Sequence, residues 1–177
     1  MKSYTKLTSK KVFGGKIFDL FRDSVLLPDG RRSERDIVKH PGAVVILAVD
    51  GDGQIKAIRQ YRYAVGSEII ELPAGTLENG EEPEACARRE LKEEIGFAAK
   101  VWHHLGEIYP APGFCTERQQ AYFATDLIEE KESGDADEII EPASFSAEEF
   151  ELAISQNKIK DAKSIAVYFL AKLKGVI

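Results

Sequence analysis

Apolar residues fall in short blocks through the first half of the chain and at helical spacing further on. Ile17–Leu27 alternates weakly and stops at Pro28-Asp29-Gly30, a turn signal. Glu34–Lys39 resumes with Ile37 and Val38, so the pair predicts an N-terminal β-hairpin. Ala43–Val49 is an unbroken apolar run between Pro41-Gly42 and Asp50-Gly51-Asp52-Gly53. It predicts a buried strand followed by a hairpin turn, with Ile55–Tyr63 as partner. Glu68–Leu72 predicts a further short strand, stopped by Pro73.

The period then changes. Pro83 suits a helix start, where its missing N–H is harmless. Ala87, Leu91 and Ile95 recur at i, i+4 and i+8, and Gly96 supplies the C-terminal stop. Val101–Tyr109 and Gln120–Leu127 predict strands either side of the loop Pro110-Ala111-Pro112-Gly113-Phe114-Cys115-Thr116-Glu117. Glu129–Asp137 predicts a solvated acidic loop. Ser146-Ala147-Glu148-Glu149 is a capping box that opens a helix towards Asn157. A last helix starts near Asp161 and closes at Gly175. Ile165, Phe169 and Leu173 are its expected apolar face, with Ala162, Ala166 and Leu170 alongside. Strands, a helix, more strands and two helices predict an α+β or mixed α/β sandwich, with helices covering a mostly antiparallel or mixed sheet.

Composition narrows the function. The chain has 177 residues, enough for one sizeable core, and a net charge of −6. An acidic chain of this kind is not expected to bind nucleic acid. No apolar run is long enough for a membrane span or a signal peptide, so no membrane partner and a cytoplasmic location are expected. Cys86 and Cys115 lack zinc spacing and are too few for a disulfide scaffold. Cys86 reads as a small buried thiol.

The candidate chemistry lies in Gly75–Phe97. Glu90 and Glu94 share one helix face, with Glu93 at its edge and away from the Ala87–Leu91–Ile95 stripe. Hard oxygen ligands of this kind suit Mg²⁺, or Mn²⁺, shared with phosphate oxygens of a substrate. The helix alone leaves a second reading open, a solvated acidic face paired by Arg88, Arg89 and Lys92.

The flanking residues complete a pattern. Gly75, Glu81, Arg89, Glu90, Leu91, Glu93, Glu94, Gly96 and Phe97 fit G-x5-E-x7-R-E-U-x-E-E-x-G-U, where U is a bulky aliphatic or similar residue. This is the Nudix box, and the chain resembles the Nudix hydrolases. Pro112, Gln60-Tyr61-Arg62-Tyr63, Glu71-Leu72-Pro73-Ala74-Gly75, Ile37–Val44 and Asp161-Ala162-Lys163-Ser164 extend the resemblance to bacterial ADP-ribose pyrophosphatases and nucleoside diphosphate sugar hydrolases.

The resemblance implies an α/β/α sandwich with a mixed sheet over residues 41–177, and a small β-hairpin extension over residues 1–40. It implies that this extension is exchanged in a homodimer. The implied metal ligands are Glu90 and Glu94, with Glu93 and the Ala74 carbonyl. Glu117 is the implied general base, with Glu93 and Arg89 in the catalytic set and Arg89 orienting the carboxylates. Arg62, Arg35 and Gly113 are implied on the substrate side, with Arg62 on the diphosphate. The expected activity is Mg²⁺-dependent cleavage of ADP-ribose, and of other nucleoside diphosphate sugars, to a nucleoside monophosphate and a sugar phosphate. Hydrolysis of nucleoside triphosphates or dinucleoside polyphosphates is a second enzyme reading. A non-catalytic sensor of ADP-ribose is the alternative of another class.

Overall fold

The computed structural model describes residues 3–134 and 139–177. The chain forms two compact units. One contains residues 1–42 with 109–118, and the other contains 43–108 with 119–177.

In the first unit, β1 (Thr5–Gly14), β2 (Asp19–Leu26) and β3 (Arg32–Lys39) make an antiparallel sheet in that order. The hairpin read from the sequence is β2–β3. The strand β1 before it was not legible, because Thr5–Gly14 is mostly polar and every residue of it is exposed. Residues 109–118 are tied to β3. Val38 N–H donates to the Phe114 carbonyl at 2.8 Å, and Thr116 N–H donates to the Val38 carbonyl at 2.9 Å. His40 N–H donates to Thr116 Oγ1 at 3.1 Å.

The second unit is built on β4 (Ala43–Val49), whose residues are buried as far as Ala48. β5 (Ile55–Arg62), β6 (Ser67–Glu71) and β7 (Ala74–Thr76) follow it, then helix α1 (Pro83–Ile95). β8 (Phe97–Ile108), β9 (Gln119–Glu129), β10 (Ile140–Phe145), α2 (Ala147–Ser155) and α3 (Ala162–Leu173) complete the unit. The sheet order is β10-β5-β4-β9-β8, with β6 on β5 and β7 on β4. β4 runs parallel to β9 from Ala43↔Gln119 to Ala48↔Ala124, while the other pairings are antiparallel, so the sheet is mixed.

Alternation along β4 splits the core between the two sheet faces. Val44, Ile46 and Ala48 pack with Cys86, Ala87, Leu91 and Ile95 of α1. Val45 and Leu47 pack with Phe150 of α2 and Val167, Tyr168 and Ala171 of α3. This is the expected α/β/α sandwich. The sequence stripe on α1 is therefore the buried face.

Two expectations are corrected, and one strand was not expected. α3 buries Ser164, Val167, Tyr168 and Ala171, while Phe169 and Leu173 are exposed. Apolar side chains surround this helix, so their period alone did not select the face. β10 was missed because Pro142 interrupts it. Proline is tolerated there because β10 ends the sheet order and pairs with β5 alone. The acidic loop begins only after β9 ends at Glu129. Glu130 and Glu132 pair with Lys92 at 2.7 and 3.0 Å, and residues 135–137 of that expectation lie outside the described residues.

Candidate active site

The first partner edge of β4 is divided. Ala43–Val45 pair with β7 and Ala48–Val49 with β5, while Ile46 N–H donates to the Pro73 carbonyl at 2.8 Å. Leu72–Thr76 thus crosses from β6 to β7 beside the middle of the sheet, and α1 packs on that crossing. α1 starts with Pro83 and ends at Gly96, whose φ of 76° is left-handed and whose N–H donates to the Lys92 carbonyl.

The acids of α1 meet the crossing directly. Glu94 Oε2 accepts the Ala74 N–H at 2.9 Å. Glu90 lies where a side chain at position 75 would begin. A Cβ on Gly75 would stand 1.8 Å from Glu90 Oε1 and 1.9 Å from its Cδ, so this glycine is required for space. Glu90 and Glu94 are both buried, at 9% and 8% exposed, an unusual state for carboxylates on a helix.

Arg89 organises this face. Its Nη1 donates to Glu90 Oε1 at 2.7 Å and to Glu93 Oε2 at 2.9 Å. Its Nε and Nη2 clamp the two oxygens of Glu81 at 3.0 and 3.1 Å, a bidentate fork. Glu81 also accepts the Glu78 N–H at 2.9 Å. Pairing with Glu81 outweighs burial and pushes the Arg89 pKa up, with Glu90 and Glu93 adding to it. The same fork holds the Glu81 carboxyl below the usual carboxylate range. Burial, then Glu81 and Glu90, push the Cys86 thiol up, so this cysteine is an inert core group.

These donors fit a hard divalent cation. The two buried carboxylates converge on the turn that carries the Ala74 carbonyl, and the neighbouring thiol is held protonated. Among the described residues no group of three or more His, Cys, Asp and Glu side chains is placed to hold a metal ion. Mg²⁺ keeps several waters and shares substrate phosphates, so protein side chains supply only part of its shell.

A second charged cluster adjoins the crossing. Arg62, at the end of β5, donates from Nε to Glu71 Oε1 at 2.6 Å and from Nη2 to Oε2 at 3.0 Å. Glu71 is 1% exposed and also takes Lys163 of α3. Lys163 pairs with Asp161 at 2.9 Å, and Leu72 N–H donates to Ser164 Oγ at 2.7 Å. Burial raises the Glu71 pKa, and the Arg62 and Lys163 partners more than offset it, so the carboxyl is held low. The members of this cluster lie in three motifs that carry the resemblance, Gln60–Tyr63, Glu71–Gly75 and Asp161–Ser164, which do not by themselves show that they meet.

The second unit therefore brings Arg62, Ala74, Arg89, Glu90, Glu93 and Glu94 to one crossing. Arg35, Gly113 and Glu117 belong to the first unit. Arg35 is exposed, with Nη1 on Ser33 Oγ at 2.6 Å and its guanidinium 5.9 Å from the centre of the Tyr4 ring. Gly113 is exposed at the loop tip. Glu117 is half-buried, and its N–H donates to Cys115 Sγ at 3.4 Å.

A sandwich whose box helix packs its acids on a glycine crossing defines a class, and the chain belongs to it: it is a member of the Nudix family, whose NUDIX domain model matches residues 38–168. Within that family it is similar to the ADP-ribose pyrophosphatase of Bacillus subtilis (strain 168), with 40% identity over 181 residues, covering 100% of this chain and 98% of that protein. It is also similar to the methanol dehydrogenase activator of Bacillus methanolicus, 35% identical over 167 residues, 93% of this chain and 90% of that one. A crystal structure of an ADP compounds hydrolase shares the fold, with a TM-score of 0.87 over 99% of this chain and 96% of that chain at 24% identity. No helix among the described residues is long and apolar enough to cross a membrane.

Proposed function

We propose that this protein hydrolyses the diphosphate bond of ADP-ribose, and of other nucleoside diphosphate sugars, to a nucleoside monophosphate and a sugar phosphate. The observation that carries this is the packing of buried Glu90 and Glu94 on the Ala74–Gly75 crossing, with Glu90 held by Arg89. The full-length likeness to an ADP-ribose pyrophosphatase supports the substrate class.

Glu90 and Glu94, with Glu93 and the Ala74 carbonyl, would hold Mg²⁺ or Mn²⁺. Such an ion, when bound, supplies charge neutralisation at the diphosphate and acidifies a water. Arg89 fixes the orientation of Glu90 and Glu93, so little reorganisation is left for the reaction step. Arg62 presents a planar fork suited to diphosphate oxygens. Arg35 and Gly113 bind substrate. Glu117 accepts the proton of the attacking water. The protein acts as a cytoplasmic homodimer through the sheet of β1, β2 and β3, where Phe13 of β1 and the flanking Tyr4, Ile17 and Phe18 leave apolar surface exposed.

Incubation with ADP-ribose and Mg²⁺ should release AMP and ribose 5-phosphate, read by chromatography, with two copies per particle by light scattering. In the same assay Glu117→Gln should lower kcat by roughly 10²–10⁴-fold with little change in KM. A near-normal kcat would remove Glu117 from the mechanism. A second reading follows from the likeness to a protein named as an activator: the chain binds ADP-ribose and regulates a partner. Binding without turnover in this assay would favour it.

A further inference from the structure

The charges around Glu71 form a balanced quartet. Two carboxylates, Glu71 and Asp161, face two cations, Arg62 and Lys163. The two cations differ in position. The Arg62 side chain is 36% exposed, whereas that of Lys163 is 13% exposed and Glu71 itself 1%. Arg62 is the outward cation of the quartet and Lys163 the inward one.

This asymmetry matters if Arg62 is to reach a diphosphate. Its Nε and Nη2 are both committed to Glu71. Turning that fork to the substrate removes a counter-charge from a buried carboxylate. A buried charge left alone is strongly destabilising, so an isolated Arg62–Glu71 pair would resist the exchange. With Lys163 also on Glu71 Oε2, the carboxylate keeps a cation while Arg62 is away. Lys163 has its own second partner in Asp161 at the start of α3, which fixes its place.

We propose that Lys163 is a positioning residue that keeps Glu71 compensated, and so releases Arg62 to bind the diphosphate of the substrate. The inference rests on the assignment of Arg62 to the diphosphate in the proposed function. It gives the C-terminal helix a part in substrate affinity through residues that need not touch substrate.

The test compares Lys163→Met, Lys163→Arg, Glu71→Gln and the Glu71→Gln/Lys163→Met pair with the wild type. KM and kcat are measured with ADP-ribose and Mg²⁺, and Kd for ADP-ribose by calorimetry in EDTA. Lys163→Met should raise KM and Kd tenfold or more, with kcat within about threefold of wild type. Lys163→Arg should restore both constants. The double variant should restore them too, because a neutral amide in place of the Glu71 carboxylate no longer holds Arg62. A merely structural role predicts the opposite, a double variant no better than Lys163→Met. Unchanged KM and Kd in Lys163→Met, or a loss confined to kcat, would overturn the proposal. Should Lys163→Met fail to fold, Glu71→Gln decides, since its KM should stay level or fall and a rise would count against the idea. Wild type that binds ADP-ribose without hydrolysing it would defeat the enzyme reading, while the Kd series would still decide the role of Lys163.

Discussion

A methyl group at position 75 would overlap Glu90, and that single steric fact links the glycine of the box to its chemistry. Gly75 does not need an unusual backbone angle; it needs to be small where the buried carboxylate lies against the chain. Gly75→Ala should therefore push Glu90 off its Arg89 partner. We expect kcat for ADP-ribose to fall about a hundredfold, the scale of a misplaced catalytic group, and stability to fall by about 1–3 kcal/mol from overpacking. Steady-state kinetics beside a denaturant melt checks both, and a variant with ordinary kcat would refute the steric account. At this scale the sequence was informative where acids repeat at fixed spacing, as at Glu90, Glu93 and Glu94. It placed Glu71 in a motif but gave it no role, because the partners that tolerate a buried acid come from β5 and α3, far apart in the chain.

The elements were legible where local signals agreed. β4 coincides with its apolar run, and α1 has a proline at its start, a stripe at i, i+4 and i+8, and a left-handed glycine at its end. At α2 the capping box is formed in both directions. Ser146 Oγ accepts the Glu149 N–H at 3.1 Å, and Glu149 Oε2 accepts the Ser146 N–H at 2.8 Å. Ser146→Ala should cost about 1 kcal/mol, seen as a lower urea midpoint at constant m-value with kcat retained. No measurable shift would mean that packing of Phe150 and Ala153 alone sets the helix. The elements that were not legible lacked such signals. β1 is mostly polar and exposed along its whole length, β7 has only three residues, and β10 carries a proline. α3 is apolar on more than one side, and the burial of Val167, Tyr168 and Ala171 against the sheet, with Ser164 on the Leu72 N–H, fixes its rotation.

For the whole molecule, the buried and clamped carboxylates set the response to acid. Glu71, Glu81 and Asp50 are each held below their ordinary values by cationic or hydrogen-bonding partners, against the opposing effect of burial. A lowered folded-state pKa adds stability that is complete above the unfolded pKa and is lost as pH falls through the folded one. Stability should thus be level above about pH 5 and decline below about pH 4, the ordinary carboxylate range. Urea midpoints across that range check this, and Glu71→Gln should shallow the decline; an equally steep fall in that variant would place the effect elsewhere. The central pairing has a consequence of another kind. β4 lies between β9 on one side and the β5 and β7 segments on the other, and its partner β9 begins only at Gln119. During synthesis the aliphatic run Ala43–Ala48 leaves the ribosome with that side open until α1 and β8 have been made and β9 has emerged. A parallel pairing of such long span closes slowly. Until it does, this most buried strand is also the segment most open to pairing with another nascent chain.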